Sequence, residues 1–329
     1  MTSPLLLNDG FDNWGPSVEC RVMTTPFDIV GFGVATLDVL TEVEKFPLAG
    51  EKAKILSREY HGGGLTATAL VAASKLGASC WYGGALGLND ISNQVRQLLA
   101  GYGVNLPAKT PYPPETEPIA ATVYLERQSG ERTILWSEFL TPPPILHEEA
   151  IAIALSAQCL FADQFFPTTL IPLYRRVRAK GIPIVGDFES YDHPDTDEAF
   201  ALVDHPVLPA SIVRDYFGYD DLPSAVLQIL NQQDRSAVVI TDGIQGVWFA
   251  GKEDKQVHHQ PAFPVAVCDT TGCGDVFHGA YAAALTFGWS LPDRVRFAAA
   301  AAALKATKKG GQVGAPTRFE LDDFLSNHI

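Results

Sequence analysis

The chain is short of the residues that would tie a fold together covalently. Its five cysteines, Cys20, Cys80, Cys159, Cys268 and Cys273, are odd in number, scattered and without a C-x-x-C pair. That argues against a disulfide framework or a structural zinc site, and for a reducing cytoplasm. Positive charge is scarce as well, with 24 Lys and Arg against 38 Asp and Glu and a net charge of −14. A broad basic face for nucleic acid or an anionic membrane surface is thereby excluded, although a small bound anion is not. No apolar run approaches the ~18 residues of a membrane span. The first 26 residues lack the basic and apolar regions of a secretory signal. Methionine occurs only at Met1 and Met23, so residues 1–25 read as a polar tail or, equally, as the product of an upstream start codon. There is no G-x-x-x-x-G-K-[ST] loop. Gly31-Phe32-Gly33 is a near miss for a dinucleotide loop, because Thr36 stands at the third position and extended sequence follows instead of a helix.

What remains is a globular pattern: 329 residues, 47% of them hydrophobic, enough to bury a sizeable core. Short β-branched runs at 27–33, 79–86, 158–163, 182–187 and 237–241 alternate with helical stretches at 66–76, 91–100, 170–179 and 224–230. That rhythm predicts parallel βαβ units. Residues 34–43 and 120–135 break it with extended sequence, the second holding a hairpin signal at Gln128-Ser129-Gly130-Glu131. Strands outside the rhythm suggest a small lid, with the Pro-rich stretches 107–118 and 142–144 as its connections. Beyond residue 270 the chain turns helical, with Ser290 capping a helix that starts at Pro292 and a capping box at Thr317 and Glu320.

The densest chemical signal is Cys268-Asp269-Thr270-Thr271-Gly272-Cys273-Gly274-Asp275-Val276-Phe277-His278-Gly279. It reads as a strand end at 264–268 and a glycine loop opening a helix. Unsatisfied N–H groups and the helix dipole make such a start an anion cradle. No Lys or Arg lies between Pro261 and Leu291, so positive charge there must come from main-chain dipoles, a metal ion or distant residues. Asp275 either stabilises its own helix dipole or takes a proton from a hydroxyl attacking a bound phosphate. A Cys273 thiol at this helix start is expected to have a lowered pKa, to react with alkylating reagents and to be protected when the anion cradle is filled.

Asp269-Thr-Thr-Gly-x-Gly-Asp275-x-Phe-x-Gly279 resembles the C-terminal signature of the ribokinase-like (PfkB-type) carbohydrate kinases, with Cys273 at a usually small position. Gly62-Gly63-Gly64 and the helix to Leu76-Gly77 resemble the family's first glycine signature. Asp38 resembles its sugar-binding aspartate, Thr241-Asp242-Gly243-x-x-Gly246 its nucleotide loop, and residues 310–316 its last loop beside the nucleotide. The resemblance covers residues 27–325. It implies a three-layer α/β/α sandwich with a mainly parallel sheet and a small β lid, in one kinase domain over 26–329 with lid strands at about 34–60 and 118–137.

The activity it implies is ATP-dependent phosphorylation of a sugar hydroxyl in the presence of Mg2+. Asp275 would be the general base, and the N–H groups of Gly272, Cys273 and Gly274 an anion hole. Asp38 and the Gly62–Gly64 turn would hold the sugar. Thr241, Gly243, Gly246, Thr271 and Gly311 would hold the nucleotide, with room for a monovalent cation near Asp269. A homodimer through the lid is compatible with it. A nucleoside kinase and a non-catalytic sugar-binding sensor on the same fold remain alternatives.

The sequence departs from the family pattern at two places. Ala67 stands where an Asn usually contacts the sugar, and the Asn-x-x-Glu element that helps organise magnesium is missing near Pro209-Ala210-Ser211-Ile212. Asp187 and Glu189 are then either substitute metal ligands or a solvated loop pair. The C-terminal third is most similar to bacterial sulfofructose kinases, and Lys52 matches a substrate-side lysine there, but Phe165 stands at their sulfonate-binding arginine. A less charged sugar is therefore expected. Phe165-Phe166 line the sugar pocket or belong to the core. His258-His259 read as an exposed edge strand, His278 as a packed, hydrogen-bonded histidine, and Lys308-Lys309 as a solvated pair or a phosphate contact.

Overall fold

A computed structural model of the chain describes residues 27–129, 131–137 and 142–328. The expected tail, with Cys20 and Met23, and Gly130 of the expected hairpin turn lie outside the described residues. The strands are β1 (Ile29–Phe32), β2 (Thr36–Val43), β3 (Ile55–Gly63), β4 (Cys80–Tyr82), β5 (Val104–Asn105), β6 (Ile119–Glu126), β7 (Arg132–Ser137), β8 (Cys159–Asp163), β9 (Ile184–Asp187), β10 (His205–Pro209), β11 (Ala237–Thr241), β12 (Val247–Gly251) and β13 (His258–Gln260). The helices are α1 (Leu65–Lys75), α2 (Asp90–Gly101), α3 (Glu148–Ala154), α4 (Pro167–Ala179), α5 (Thr196–Ala201), α6 (Ala210–Asp215), α7 (Leu222–Gln232), α8 (Cys273–Thr286), α9 (Leu291–Ala306), α10 (Gly311–Gly314) and α11 (Arg318–Ser326).

Nine strands form one sheet in the order β13-β12-β11-β10-β9-β8-β1-β4-β5. All neighbours are parallel except β11 with β12 and β12 with β13. Its central strands are apolar almost throughout and buried, as a sheet covered on both faces requires. Alternation along each strand then sorts the core. Phe161, Val185, Val207 and Val239 point into one layer with α1, α8 and α9, while Leu160, Ile184, Leu208 and Val238 point into the other with α4 to α7. The alanines of α1, α8 and α9 let these helices approach closely. A Cβ on Gly279 would lie 2.0 Å from the Ala69 carbonyl oxygen, so α8 can cross α1 there only with glycine.

The expected lid is a separate four-stranded sheet, β3-β2-β6-β7, in which β2 and β6 are parallel and the outer pairs antiparallel. Beyond the expected bounds, β3 continues to Gly63 because Thr36 and Leu37 pair with Gly63 and Gly62. The expected Gly62–Gly64 turn is thus strand for its first two residues, and only Gly64, at φ 90°, turns the chain into α1. Residues 264–268 are not a strand. Pro264 has no N–H to give to a ladder, and Cys268 and Asp269 donate instead to the Ala306 carbonyl at the end of α9. The last loop, 310–316, contains the short α10. His258 and His259 do fall on an edge strand, β13. Ser290 caps α9, and Thr317 and Glu320 form the capping box of α11. Among the described residues no helix is long and apolar enough to cross a membrane.

Candidate active site

In the large sheet the chain passes from β1 to β4 on one side and returns to β8 on the other, so the strand order reverses at β1. Open parallel sheets bind ligands outside their carboxyl ends at such a reversal. Asp163, the last residue of β8, sits there. Its Oδ2 accepts from the Val34 N–H and the Thr66 hydroxyl, both at 2.8 Å, and its Oδ1 from the Phe165 N–H at 3.0 Å. One buried carboxylate therefore joins the end of β1, the start of α1 and the chain beyond β8. Burial pushes its carboxyl up to about 6 against the pull of these donors.

Asp187, the last residue of β9, is the register partner of Asp163. It is fully buried, and neither of its carboxylate oxygens receives a hydrogen bond among the described residues. One carboxylate oxygen each from Asp187, Glu189 and Asp275 lie within 4.8 Å of one another. Glu189 is exposed; Asp275 keeps part of its surface open while its carboxyl is packed round by protein. Burial first, then the neighbouring Asp187 and Glu189, hold the Asp275 carboxyl well above the usual carboxylate range. His278 lies beneath them on α8. Its Nδ1 is 2.8 Å from the Gly274 carbonyl and 3.5 Å from Asp187, and its Nε2 is 3.0 Å from the Val207 carbonyl, the packed histidine expected.

Asp275 occupies the first turn of α8, whose N-cap is Gly272 at φ 76°. Glycine suits that left-handed position, and Gly272 also packs against Gly311, whose Cα a Cβ on it would approach to 2.8 Å. The Cys273 N–H closes a turn onto the Thr270 carbonyl at 3.1 Å. The N–H groups of Gly272 and Gly274 are left as open donors among the described residues. The expectation of an activated Cys273 is overturned: burial pushes its thiol up, and the Lys305 ammonium does not offset burial and the Asp269 and Asp275 carboxylates together. A low thiol pKa needs an electropositive, partly hydrated setting, and this helix start is crowded with acids.

Asp38, in the middle of β2, is half-buried, and the Thr36 hydroxyl lies 3.4 Å from its Oδ1. Burial raises its carboxyl despite Thr36 and His61. It lies against Gly63, whose Cβ, if present, would be 3.2 Å from Asp38 Oδ2. Phe165 and Phe166 follow Asp163 with ring centroids 6.1 Å apart. Lys52 is exposed in the loop between β2 and β3 and is not drawn to the others.

On the other flank, Thr241 ends β11 at the same carboxyl edge, in register with Pro209. Gly243 and Gly246 bound the turn into β12. The Thr271 N–H donates to Asp269 Oδ1 at 2.9 Å. Next to Asp269, where a monovalent cation was expected, lies the ammonium of Lys305. Lys308 is paired with Glu320. Ala67 is fully buried in α1, and 209–212 carries no carboxylate.

Sequence reasoning missed Asp163 and Gln312. An aspartate closing an otherwise apolar strand was the available signal for Asp163. Gln312, nearly buried in α10, reaches across to donate to the Gly63 carbonyl at 3.3 Å, a contact between segments 249 residues apart that no local pattern marks. A separate cavity of about 400 Å³ between the small sheet and α2, lined by Leu37, Val39 and Ile91 among others, contains none of these carboxylates.

A family profile described as pfkB family carbohydrate kinase matches residues 27–170 and 197–318. A ribokinase of Bacillus subtilis is 28% identical over 319 residues, 91% of this chain and 99% of its own. The structure of Arabidopsis thaliana ribokinase complexed with ribose and ATP superposes with a TM-score of 0.79 at 24% identity, over 91% of this chain and 98% of that one. A structure from E. coli in complex with ATP and Mg2+ gives 0.75 at 18% identity, over 92% and 100%. The fold, the glycine loop before α8 and the matched segments agree, and the chain belongs to the pfkB family of carbohydrate kinases.

Proposed function

We propose that this sugar kinase transfers the γ-phosphoryl group of ATP to a hydroxyl of a neutral sugar at the carboxyl edge of the large sheet, with Asp275 as general base. The observation that carries the reading is the pairing of open N–H donors at Gly272 and Gly274 with the Asp275 carboxyl in the first turn of the same helix. In phosphoryl transfer there is little covalent work for the protein, so catalysis rests on positioning and on stabilising charge on the transferred group. The donors at the start of α8, with Cys273 beside them, meet that charge. Asp275 takes the proton of the attacking hydroxyl, and burial first, then its acidic neighbours, make it a stronger base than an isolated aspartate.

The Asp187 and Glu189 carboxylates, with Asp275 beside them, fit a divalent cation. They supply hard oxygen donors within 4.8 Å of one another, and among the described residues neither Asp187 oxygen accepts a hydrogen bond, His278 standing 3.5 Å away. Mg2+ held there would offset the negative charge of the phosphates. Thr241, Gly243, Gly246, Thr271 and Gly311 border the nucleotide. Asp38 and the backbone of Gly62–Gly64 hold sugar hydroxyls, and Phe165 gives that pocket an apolar wall, which favours a neutral sugar over a sulfonated or phosphorylated one. The small sheet closes over the sugar to exclude water. Its exposed Ile55, Leu56, Tyr60, Ile134 and Leu135 suit pairing with a second copy. Free thiols at Cys80, Cys159, Cys268 and Cys273 agree with a cytoplasmic enzyme.

The test is ADP release with ATP, Mg2+ and a panel of pentoses, ketoses and nucleosides. Asp275→Asn is expected to lower kcat by about 100-fold or more with sugar affinity nearly unchanged. Turnover of that variant at the native rate would remove Asp275 from the role of base.

A further inference from the structure

The end of α9 carries a charge that no surface role explains. Lys305 is 0% exposed, and its ammonium donates to the Asp269 carbonyl at 2.7 Å and to the Lys308 carbonyl at 3.1 Å. Its stem runs beside Gly314, where a Cβ would lie 2.8 Å from Lys305 Cδ. A methionine would fill the space of that stem, so packing alone does not call for an ammonium. Burying one is costly unless its hydrogen bonds are met. Here they are met by main-chain carbonyls of two separate segments.

Those segments both lead to the reaction centre. Residues 268–272 run into Gly272, the N-cap of α8, and residues 307–310 run into α10. Around the ammonium they are stitched together further. Cys268 and Asp269 donate to the Ala306 carbonyl at 2.7 and 3.1 Å, and the Asp269 carboxylate accepts from the Gly310 N–H at 2.8 Å. Convergent backbone carbonyls beside a carboxylate are also what a bare potassium or ammonium ion uses in place of its water.

We propose that Lys305 is a positioning residue for phosphoryl transfer: its ammonium is a resident monovalent cation that locks 268–272 to 307–310. It thereby aims the Gly272 and Gly274 N–H groups, and the enzyme needs no added monovalent ion. The inference rests on the sugar-kinase reading in which the start of α8 is the reaction centre.

The experiment compares the native full chain with Lys305→Met in buffer whose only monovalent cation is tetramethylammonium, then with K+, NH4+ or Li+ added. Native kcat is expected to change less than about twofold. Lys305→Met is expected to lose about tenfold in kcat with little change in sugar KM, and to recover severalfold with about 100 mM K+ or NH4+. Activation of the native enzyme more than about tenfold by K+ would overturn the proposal. So would native kcat in the variant, or a folded variant that no cation restores. Thermal unfolding supplies a readout independent of turnover. The midpoint of Lys305→Met, or of Lys305→Gln should the first be unrecoverable, is expected to rise with K+ or NH4+ while the native midpoint stays level. Equal cation responses in both would overturn the proposal. Absence of ADP release by the native chain with every sugar would instead reject the kinase reading, and the midpoints would still decide the cation inference.

Discussion

Asp163 and Asp187 end neighbouring parallel strands in register with each other, yet they stand in opposite hydrogen-bonding states. Asp163 is surrounded by donors from Val34, Thr66 and Phe165, whereas Asp187, equally buried, receives none. The first is built as a fastener, and in the proposed reading the second is a metal ligand. A buried carboxylate with no donor is a local cost that a fold keeps where function requires it.

Exchanging each for a neutral residue should separate these roles. Asp163→Ala leaves the Val34 N–H and the Thr66 hydroxyl without an acceptor and is expected to lower stability by about 2–4 kcal/mol. Asp187→Asn replaces a carboxyl whose ionisation is opposed first by burial and then by Glu189 and Asp163, and is expected to raise the stability of the metal-free protein by about 1 kcal/mol while lowering kcat at least about 10-fold. Urea unfolding and ADP release measure both. A loss of stability in Asp187→Asn would contradict the assignment of Asp187 as an unpartnered ligand.

The same cluster predicts linkage to a divalent ion. Mg2+ at about 100 times its dissociation constant should stabilise the native chain by about 2.7 kcal/mol. The shift should vanish in Asp187→Asn and shrink in Glu189→Gln, read as thermal midpoints with and without a chelator. An equal Mg2+ response in all three proteins would place the ion elsewhere.

Much of this was legible in the sequence because periodicity and motif coincide. The run at 237–241 is β11, Ser290 and Thr317 cap the helices they were expected to cap, and the Gly-Asp275 loop opens α8. The strand β10 was hidden by Pro206 and Pro209, which read as breakers, though its partners β9 and β11 hold it in the sheet. Residues 264–268 look like a strand but follow an edge strand, with Pro264 in place of a donor. The environment of Cys273 failed for another reason. Its helix start, its glycines and the Asp269 and Asp275 carboxylates are all local, but the burial that raises the thiol most is set by tertiary packing. Lys305 was invisible as a site residue because the Ala-rich α9 gives no hint that its ammonium meets Asp269, 36 residues away.

Among the described cysteines, Cys268 is exposed while Cys273 is half-buried with a raised thiol pKa. Thiolate fraction and access together set alkylation rate. Limited iodoacetamide at pH 7.5 is therefore expected to label Cys268 at least about 10-fold faster than Cys273, as read by peptide mass spectrometry. Modification of Cys268 should leave ADP release largely intact. Preferential labelling of Cys273, with protection by ATP, would restore the activated thiol that the structure speaks against.

Acid should undo the Asp269 tie before it unfolds the rest. Burial opposes ionisation of Asp269, but the Thr271 and Gly310 N–H groups outweigh it and hold the carboxyl at about 2, below its ordinary 3.8. A carboxylate with a depressed folded pKa stabilises fully above its unfolded pKa, and that contribution is lost as pH falls through the folded value. The window is therefore from roughly pH 4 down to 2. Asp269→Asn already lacks the charge, so its thermal midpoint is expected to lie below the native one by a constant gap at neutral pH. The gap should close across that window. Glu320, held at about 2 by Lys308 and the Thr317 N–H, titrates in both proteins and cancels in the comparison. A gap unchanged down to pH 2 would mean that the neutral acid holds Gly310 and Thr271 as well as the carboxylate does.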